Sequence, residues 1–227
     1  MIIPPLSIRG GYEQIVRVRA TVRDAARAAG DERVASRQAS SRADVLLSLS
    51  LDEAAAEFEE ASAVFRRLDL RHELVHSLTG LAFARMFQGR PALAHAREAT
   101  EIADATGDPN DIVLALRTHA DTLVLQDRPA EAVPLLDRAL AHAETLWNTD
   151  SHRALLVRKL DCAISLGELK LADSTYAQAR AVTDAVDKRP RGRLAARAPQ
   201  PAGTRARRRT RRHHRRARGP AAHGRGR

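Results

Sequence analysis

Residues 54–61, AAAEFEEA, place alanine at the first and eighth positions and a bulky side chain at the fifth. The same arrangement recurs, with substitutions, in three later segments: residues 94–101, 132–139 and 172–179. Ala94 opens the first of these, but Glu98 and Glu101 replace the expected apolar and small residues. Successive segments begin 40, 38 and 40 residues apart. A fixed period in this range is the signature of a helical solenoid, so the chain is predicted to be an array of similar units.

The composition agrees with an all-α fold. Aromatic residues make up only 3% of the 227 residues, a proportion that disfavours a β core and suits helices packed through small side chains. The single cysteine, Cys162, excludes an internal disulfide and lies in an apolar stretch, where we interpret it as a buried core residue.

The sequence contains no recognisable targeting signal or membrane span. The N-terminal residues, MIIPPLSIRGG, lack a basic segment followed by a long apolar run, and no stretch of about 18 apolar residues occurs. We therefore expect a cytoplasmic protein with no membrane partner. A Gly-rich phosphate loop and the spacings of nucleophilic triads are also missing, so we expect no cofactor and no enzymatic activity.

The excess positive charge is confined to the C-terminal part of the chain. The formal net charge is +10, but residues 188–227 hold 16 of the 38 Lys and Arg and no acidic residue, which leaves residues 1–187 with a net charge of −6. The C-terminal segment has one leucine and no other large apolar side chain, so it cannot bury enough surface to offset the entropy of ordering. We predict a disordered basic tail over 188–227, whose arginines make nucleic acid an alternative partner.

Helical periodicity divides the rest of the chain. A lone helix over residues 12–29 is predicted from the spacing of Ile15, Val18 and Val22, and we interpret it as half of a repeat. Four helix pairs are predicted to follow, at residues 31–48 with 51–68, 71–88 with 91–106, 109–126 with 129–147, and 150–166 with 169–187. The predicted divisions of the chain are a partial repeat, a repeat domain and the tail, at residues 1–30, 31–187 and 188–227.

Three stretches carry a resemblance to a known family: FEEASAVFRRLDLRHELVHSLTGLA (58–82), QGRPALAHA (88–96) and DRPAEAVPLLDRALAHAETL (127–146). They resemble tetratricopeptide repeats of the slightly long variety common in bacterial regulators. In that family a Gly or Asp closes the first helix of a pair and an Ala follows five residues later. The residues that fit are Gly89 with Ala94, Asp127 with Ala132, and Gly167 with Ala172.

The resemblance covers residues 31–187 and implies a right-handed α-solenoid of about four helical hairpins. The family's usual first-helix Trp and Gly-Tyr pair are absent, so the match is to a degenerate member. The implied function is protein interaction, as the sensor or scaffold portion of a bacterial regulatory protein. Because the first predicted helix has no partner, we also expect the sequence to be a piece of a longer protein, or its tail to come from an altered reading frame.

The resemblance also implies where a partner binds. In tetratricopeptide arrays the concave face is lined by the first helix of each pair, and it suits an extended peptide or an amphipathic helix. The family's inward positions fall here on His76, Thr79, Phe83, Met86, Phe87, Arg117, Asp121, Val124, Val157, Asp161 and Ile164. For Phe83 and Phe87, a place in the core between repeats is the alternative interpretation.

Residues 72–76, His-Glu-Leu-Val-His, form an HExxH sequence. On a helix the two histidines lie one turn apart and can hold zinc, while Glu73 can activate the bound water. Against this interpretation, the repeat already accounts for the segment, the β-sheet that zinc peptidases pack against this helix is not expected, and no third ligand is identified among His95, Glu98 and Glu101. A zinc peptidase with His72 and His76 as ligands and Glu73 as base stays a second alternative.

The two interpretations of residues 72–76 predict different effects of mutation. In a repeat helix Leu78 faces the neighbouring hairpin, so Leu78→Ala is expected to lower the free energy of unfolding by about 2–5 kcal/mol. His72 lies toward solvent or the groove, so His72→Ala is expected to lower it by less than about 0.5 kcal/mol. Urea unfolding followed by circular dichroism measures both. Stoichiometric zinc that survives dialysis against a mild chelator would instead support the peptidase.

Overall fold

The predicted helices are present, and short turns join them. The structure, a computed structural model, describes residues 6–146 and 149–187, with the side chains of residues 10–146 and 149–185. Within this part of the chain every regular element is an α-helix. The elements are α1 (Leu6–Ala28), α2 (Glu32–Leu46), α3 (Leu51–Arg67), α4 (Arg71–Phe87), α5 (Leu93–Thr106), α6 (Pro109–Leu125), α7 (Pro129–Thr145), α8 (Thr149–Ser165) and α9 (Leu169–Asp187). The basic tail predicted over 188–227 lies outside the described residues.

Consecutive helices pack against one another along the whole array. Helix α1 contacts α2, and the hairpins α2–α3, α4–α5, α6–α7 and α8–α9 follow. Each second helix from α3 to α7 also contacts the first helix of the next hairpin. This arrangement confirms the predicted all-α array of about four helical hairpins. Helix α1 begins at Leu6, six residues before the predicted start.

Local signals end each helix and start the next. Residues with positive φ follow helices α1, α3, α4, α5, α6 and α8: Gly30, Asp69, Gly89, Gly107, Asp127 and Gly167. At the start of α6, the Asp108 side chain accepts a hydrogen bond from the Asn110 backbone N–H at 2.8 Å, and Pro109 occupies the first turn. Proline costs no hydrogen bond there. These signals confirm the predicted joints at residues 89, 107, 127 and 167.

The alanine that continues the repeat is Ala92, the N-cap residue of α5, and the prediction that placed Ala94 in phase is wrong. Ala94 is exposed, whereas the core-facing stripe of this helix is fully or almost fully buried: Ala92, Ala96, Ala99 and Ala103. Ala92 begins 38 residues after Ala54 and 40 residues before Ala132. With this register, Glu98 and Glu101 no longer break the pattern, because they fall outside the buried stripe.

A glycine allows α3 and α4 to approach closely. Phe58 of α3 is fully buried, and its ring lies directly against Gly80 of α4. A Cβ atom on Gly80 would lie only 2.4 Å from Cζ of Phe58. Such a distance is far inside van der Waals contact, so any other side chain at position 80 must push the two helices apart.

Gly80→Ala is therefore expected to destabilise the fold, although alanine is the better helix former by about 1 kcal/mol. Overpacking costs about 1–3 kcal/mol, and the propensity gain offsets about 1 kcal/mol of it, so the free energy of unfolding should fall by up to about 2 kcal/mol. The matched control is Gly11→Ala in α1, where a Cβ meets nothing within 4 Å and stability should rise. In a Phe58→Leu background, Gly80→Ala should lower the free energy of unfolding by less than it does in the natural protein. Equal losses in the two backgrounds would contradict the contact between Phe58 and Gly80 as the cause.

Candidate binding groove

The first helices of the hairpins lie side by side. Helix α4 packs against α6, and weaker contacts join α2 to α4 and α6 to α8. The four helices therefore present one continuous surface, which we call the groove. It is the surface on which the sequence placed the candidate binding residues.

A pocket of about 210 Å³ opens in the groove between α2, α4 and α6. Its lining combines apolar, small and charged side chains: Asp44, Leu47, His76, Thr79, Gly80, Phe83, Leu114, Arg117 and Thr118. Four of the predicted residues meet here: His76, Thr79, Phe83 and Arg117. The pocket is thus shared by three consecutive hairpins rather than held by one.

Two aromatic rings lie beside the pocket. The rings of Phe83 and Phe87 are 4.6 Å apart between centroids and tilted by 48°. Both side chains are exposed, Phe83 to 38% and Phe87 to 58%. Leu125, which stands in α6 at the position equivalent to Phe87 in α4, is exposed as well. The surface beyond the pocket is therefore apolar. Phe87 lies on this surface and not in the core between repeats, which was the alternative interpretation.

The other predicted residues are divided between the core and the far end of the groove. Met86 packs on Ala82, Ala92 and Ala96, and Val124 packs on the main hydrophobic core. On α8, Val157, Asp161 and Ile164 are exposed and contribute nothing to the pocket. Asp121 is largely covered and lies 2.6 Å from Nε of Arg158.

The charges in the pocket differ in their pairing. Nε2 of His76 lies 3.6 Å from Asp44, and its Nδ1 lies 3.3 Å from the Ser40 hydroxyl. Partial burial raises the pKa of Asp44, against the opposing effects of His76 and Arg19. Arg117 has no hydrogen bond or ion pair within 4 Å to any residue in the part of the chain that the structure describes. Its charge acts on Asp121 one turn along α6, but without an ion pair, so the hydrogen-bond donors of Arg117 are available to a ligand.

Several lining residues were not predicted from the sequence. Leu114 and Thr118 lie 38 residues after His76 and Gly80, which is the spacing between α4 and α6. Applying that spacing to His76 would have identified Leu114. Asp44 lies in α2 and Leu47 caps its C-terminus, and the sequence motifs did not mark the inward positions of this helix.

The polar residues of the HExxH segment contact two different helices. Nδ1 of His72 lies 2.7 and 2.9 Å from the carboxylate oxygens of Asp111 on α6. Glu73 turns to α2 and accepts a hydrogen bond from Nε of Arg37 at 2.9 Å. His76 faces Ser40 and Asp44, also on α2. In residues 6–146 and 149–187, no group of three His, Cys, Asp or Glu side chains is placed to hold a metal ion.

The His72–Asp111 contact joins the first helices of two hairpins. Asp111 is only 3% exposed, and burial raises the pKa of its carboxyl group while His72 opposes that effect. The hydrogen bond to Asp111 raises the pKa of His72. His72→Ala would leave a buried acceptor without its partner, which costs about 1–3 kcal/mol, more than the limit of about 0.5 kcal/mol expected for a surface change.

Comparisons with known proteins support the fold. The chain is similar to the crystal structure of a variant form of a putative kinesin light chain with nearly identical TPR-like repeats from Podosopora anserina, at 18% sequence identity. The match covers 79% of this chain and 90% of that chain, with a TM-score of 0.64. A second structure of those repeats, at 17% identity, covers 76% of this chain and 97% of its own, but its TM-score of 0.30 carries no argument.

The similarity establishes an architecture like that of tetratricopeptide repeats. No family model matches the sequence, and no curated protein does. None of the helices in the described part of the chain has the length and apolar character needed to cross a membrane.

The His72–Asp111 pair predicts a pH dependence of stability. Because the pKa of His72 is raised on folding, its contribution is complete below the unfolded pKa of about 6.5 and is lost as pH rises through the folded pKa. The cost of His72→Gln, measured by urea unfolding, should therefore be larger at about pH 6 than at about pH 9.

The matched control for this experiment is Asp111→Asn. In that background the cost of His72→Gln should vary much less with pH, because the main carboxylate that favours the imidazolium is gone and only the charges of Glu73 and Asp108 still act on it. If the loss of stability caused by His72→Gln instead grows with pH in the natural protein, the assignment of the His72–Asp111 pair is contradicted.

Proposed function

We propose that this protein is a non-enzymatic interaction scaffold that binds a peptide or an amphipathic helix in the groove formed by α2, α4, α6 and α8. The observation that carries the proposal is the pocket between α2, α4 and α6. It brings the exposed ring of Phe83, which lies against Phe87, together with Arg117, which has no ion pair within 4 Å among the described residues.

The apolar part of the groove supplies the driving force for binding. Phe83 and Phe87 of α4 and Leu125 of α6 are large, exposed side chains. Leu125 stands at the repeat position equivalent to Phe87, and α4 packs against α6. Grouped apolar side chains of this kind mark interaction surfaces. Covering one such side chain completely is worth about 1.5–3 kcal/mol, so two or three anchors suffice for a specific though moderate affinity.

The charged part of the groove supplies selectivity. Arg158 pairs with Asp121 at 2.6 Å, while Arg117 acts on the same carboxylate only through its charge, so the donors of Arg117 can bind a ligand. An acidic side chain on the ligand would pair with Arg117 while a neighbouring apolar residue enters the pocket. A ligand with an acidic and an apolar residue one helical turn apart therefore suits the groove better than a basic one.

The setting of this scaffold is proposed from the sequence. The repeat motifs resemble those of bacterial regulatory proteins, and we place the scaffold as the sensor or adaptor part of such a protein in the cytoplasm. The alternative partner, nucleic acid, depends on residues 188–227, outside the described part of the chain.

The proposal can be tested with a phage-displayed library of short random peptides selected on the purified protein. Peptides recovered in this way should bind the Phe83→Asp and Arg117→Glu variants about tenfold or more weakly than they bind the natural protein. Fluorescence anisotropy measures these affinities. The matched control is Tyr176→Asp, which places the same charge on an exposed side chain of α9. Circular dichroism checks that each variant folds. Selected peptides that bind all three variants as tightly as the natural protein would overturn the proposal.

A further inference from the structure

The groove pocket has a negative wall and a positive wall. Asp44 stands on α2 and Arg117 stands on α6, and both side chains line the pocket. Helices α2 and α6 each pack against α4, and within the described residues no contact joins α2 directly to α6. The two charges therefore face the pocket from opposite sides of α4. These two described side chains form no ion pair within 4 Å, so neither charge neutralises the other.

The Asp44 carboxylate accepts no hydrogen bond from any residue in the described part of the chain. Nε2 of His76 lies 3.6 Å from it, which is longer than the hydrogen-bond range of about 2.7–3.2 Å. Arg19 acts on Asp44 only through its charge and donates its hydrogen bond to Gln38 at 3.2 Å. Partial burial raises the pKa of Asp44 because the charged form has lost part of its hydration. Such a carboxylate gains most from a cation that also donates a hydrogen bond.

The centre of the pocket, between the two charges, is suited to an apolar side chain. Phe83 of α4, Leu114 of α6 and Leu47, which caps the C-terminus of α2, contribute apolar surface to the lining. The two threonines of the lining, Thr79 and Thr118, donate their hydroxyl hydrogens to backbone carbonyl oxygens of their own helices. Their donors are therefore not needed by a ligand.

The width of α4 sets the spacing of the charges on a matching ligand. The axes of packed helices lie about 8–10 Å apart, so those of α2 and α6 are separated by up to about 20 Å. The distance to be spanned is shorter than this, because both charged side chains extend toward the pocket. A ligand helix with one charged residue a turn before an apolar residue and another a turn after it spans about 12 Å.

We propose that the pocket selects a segment of a partner protein in which an apolar residue has a basic residue on one side and an acidic residue on the other, each about one helical turn away. The apolar side chain enters the centre of the pocket, the basic one pairs with Asp44 and the acidic one pairs with Arg117. This inference rests on the proposed function and adds Asp44 as a second determinant of specificity. A segment bound in the reverse direction would place each of its charges against a like charge, so only one direction is favourable.

The test uses peptides selected by phage display on the purified 227-residue protein. The recovered peptides should carry a basic and an acidic residue on opposite sides of an apolar one. In the tightest-binding peptide, replacement of the basic residue by glutamine should weaken binding to the natural protein about tenfold, as measured by fluorescence anisotropy. Asp44→Asn should weaken binding of the unmodified peptide by a similar factor.

The effects of the two changes should not add. In the Asp44→Asn variant, replacement of the basic residue of the peptide should cost little further affinity, because the carboxylate that it pairs with is gone. The matched control is Asp173→Asn, which removes an exposed carboxylate from α9 and should leave the affinities of both peptides unchanged. Circular dichroism checks that each variant folds.

Two outcomes would overturn this inference while the proposed function stands. One is a set of peptides that need Phe83 and Arg117 but bind the Asp44→Asn variant as tightly as the natural protein. The other is an equal loss of affinity on replacement of the basic residue in both backgrounds, which would show that this residue contacts a different group. A library that yields no peptide sensitive to Phe83→Asp would overturn the proposed function, and this inference with it.

Discussion

The array depends on close contact between helices whose facing side chains are small. Each second helix from α3 to α7 buries an alanine at the same repeat position, Ala54, Ala92 or Ala132, and α4 meets the ring of Phe58 with a glycine. Interiors packed in this way do not absorb an added methylene without movement of the backbone. Since the first helices also form the groove, any such movement changes the spacing of the residues that line the pocket.

Charged pairs adjust this arrangement but do not create it. Successive first helices are joined by Arg37–Glu73, His72–Asp111 and Arg158–Asp121. Exposed pairs contribute little to stability, whereas a buried carboxylate such as Asp111 is costly to leave alone. Two of the three polar residues of the HExxH segment are engaged in these contacts, and the segment is best explained as part of the array.

The exposed apolar side chains of the groove and of α1 arise from the same geometry. Side chains that face a neighbouring helix are buried throughout the array, and those that face no helix stay exposed even where they are large and apolar. The groove exposes Phe83 and Phe87, while α1 exposes Ile15, Val18 and Val22.

Within the described residues, the sequence by itself determined the number of helices, the period and most of the helix ends, because turn residues such as Gly30 and Asp127 and the spacing of apolar residues act locally. It also placed His76, Thr79, Phe83 and Arg117 on one surface. Only the tertiary structure decided that Ala92 and not Ala94 continues the repeat, since in an alanine-rich segment two registers look alike until a neighbouring helix covers one of them. The His72–Asp111 pair and the contact of Phe58 with Gly80 also depended on the tertiary structure. Each joins residues more than 20 positions apart, and which side chains meet is set by how the helices pack.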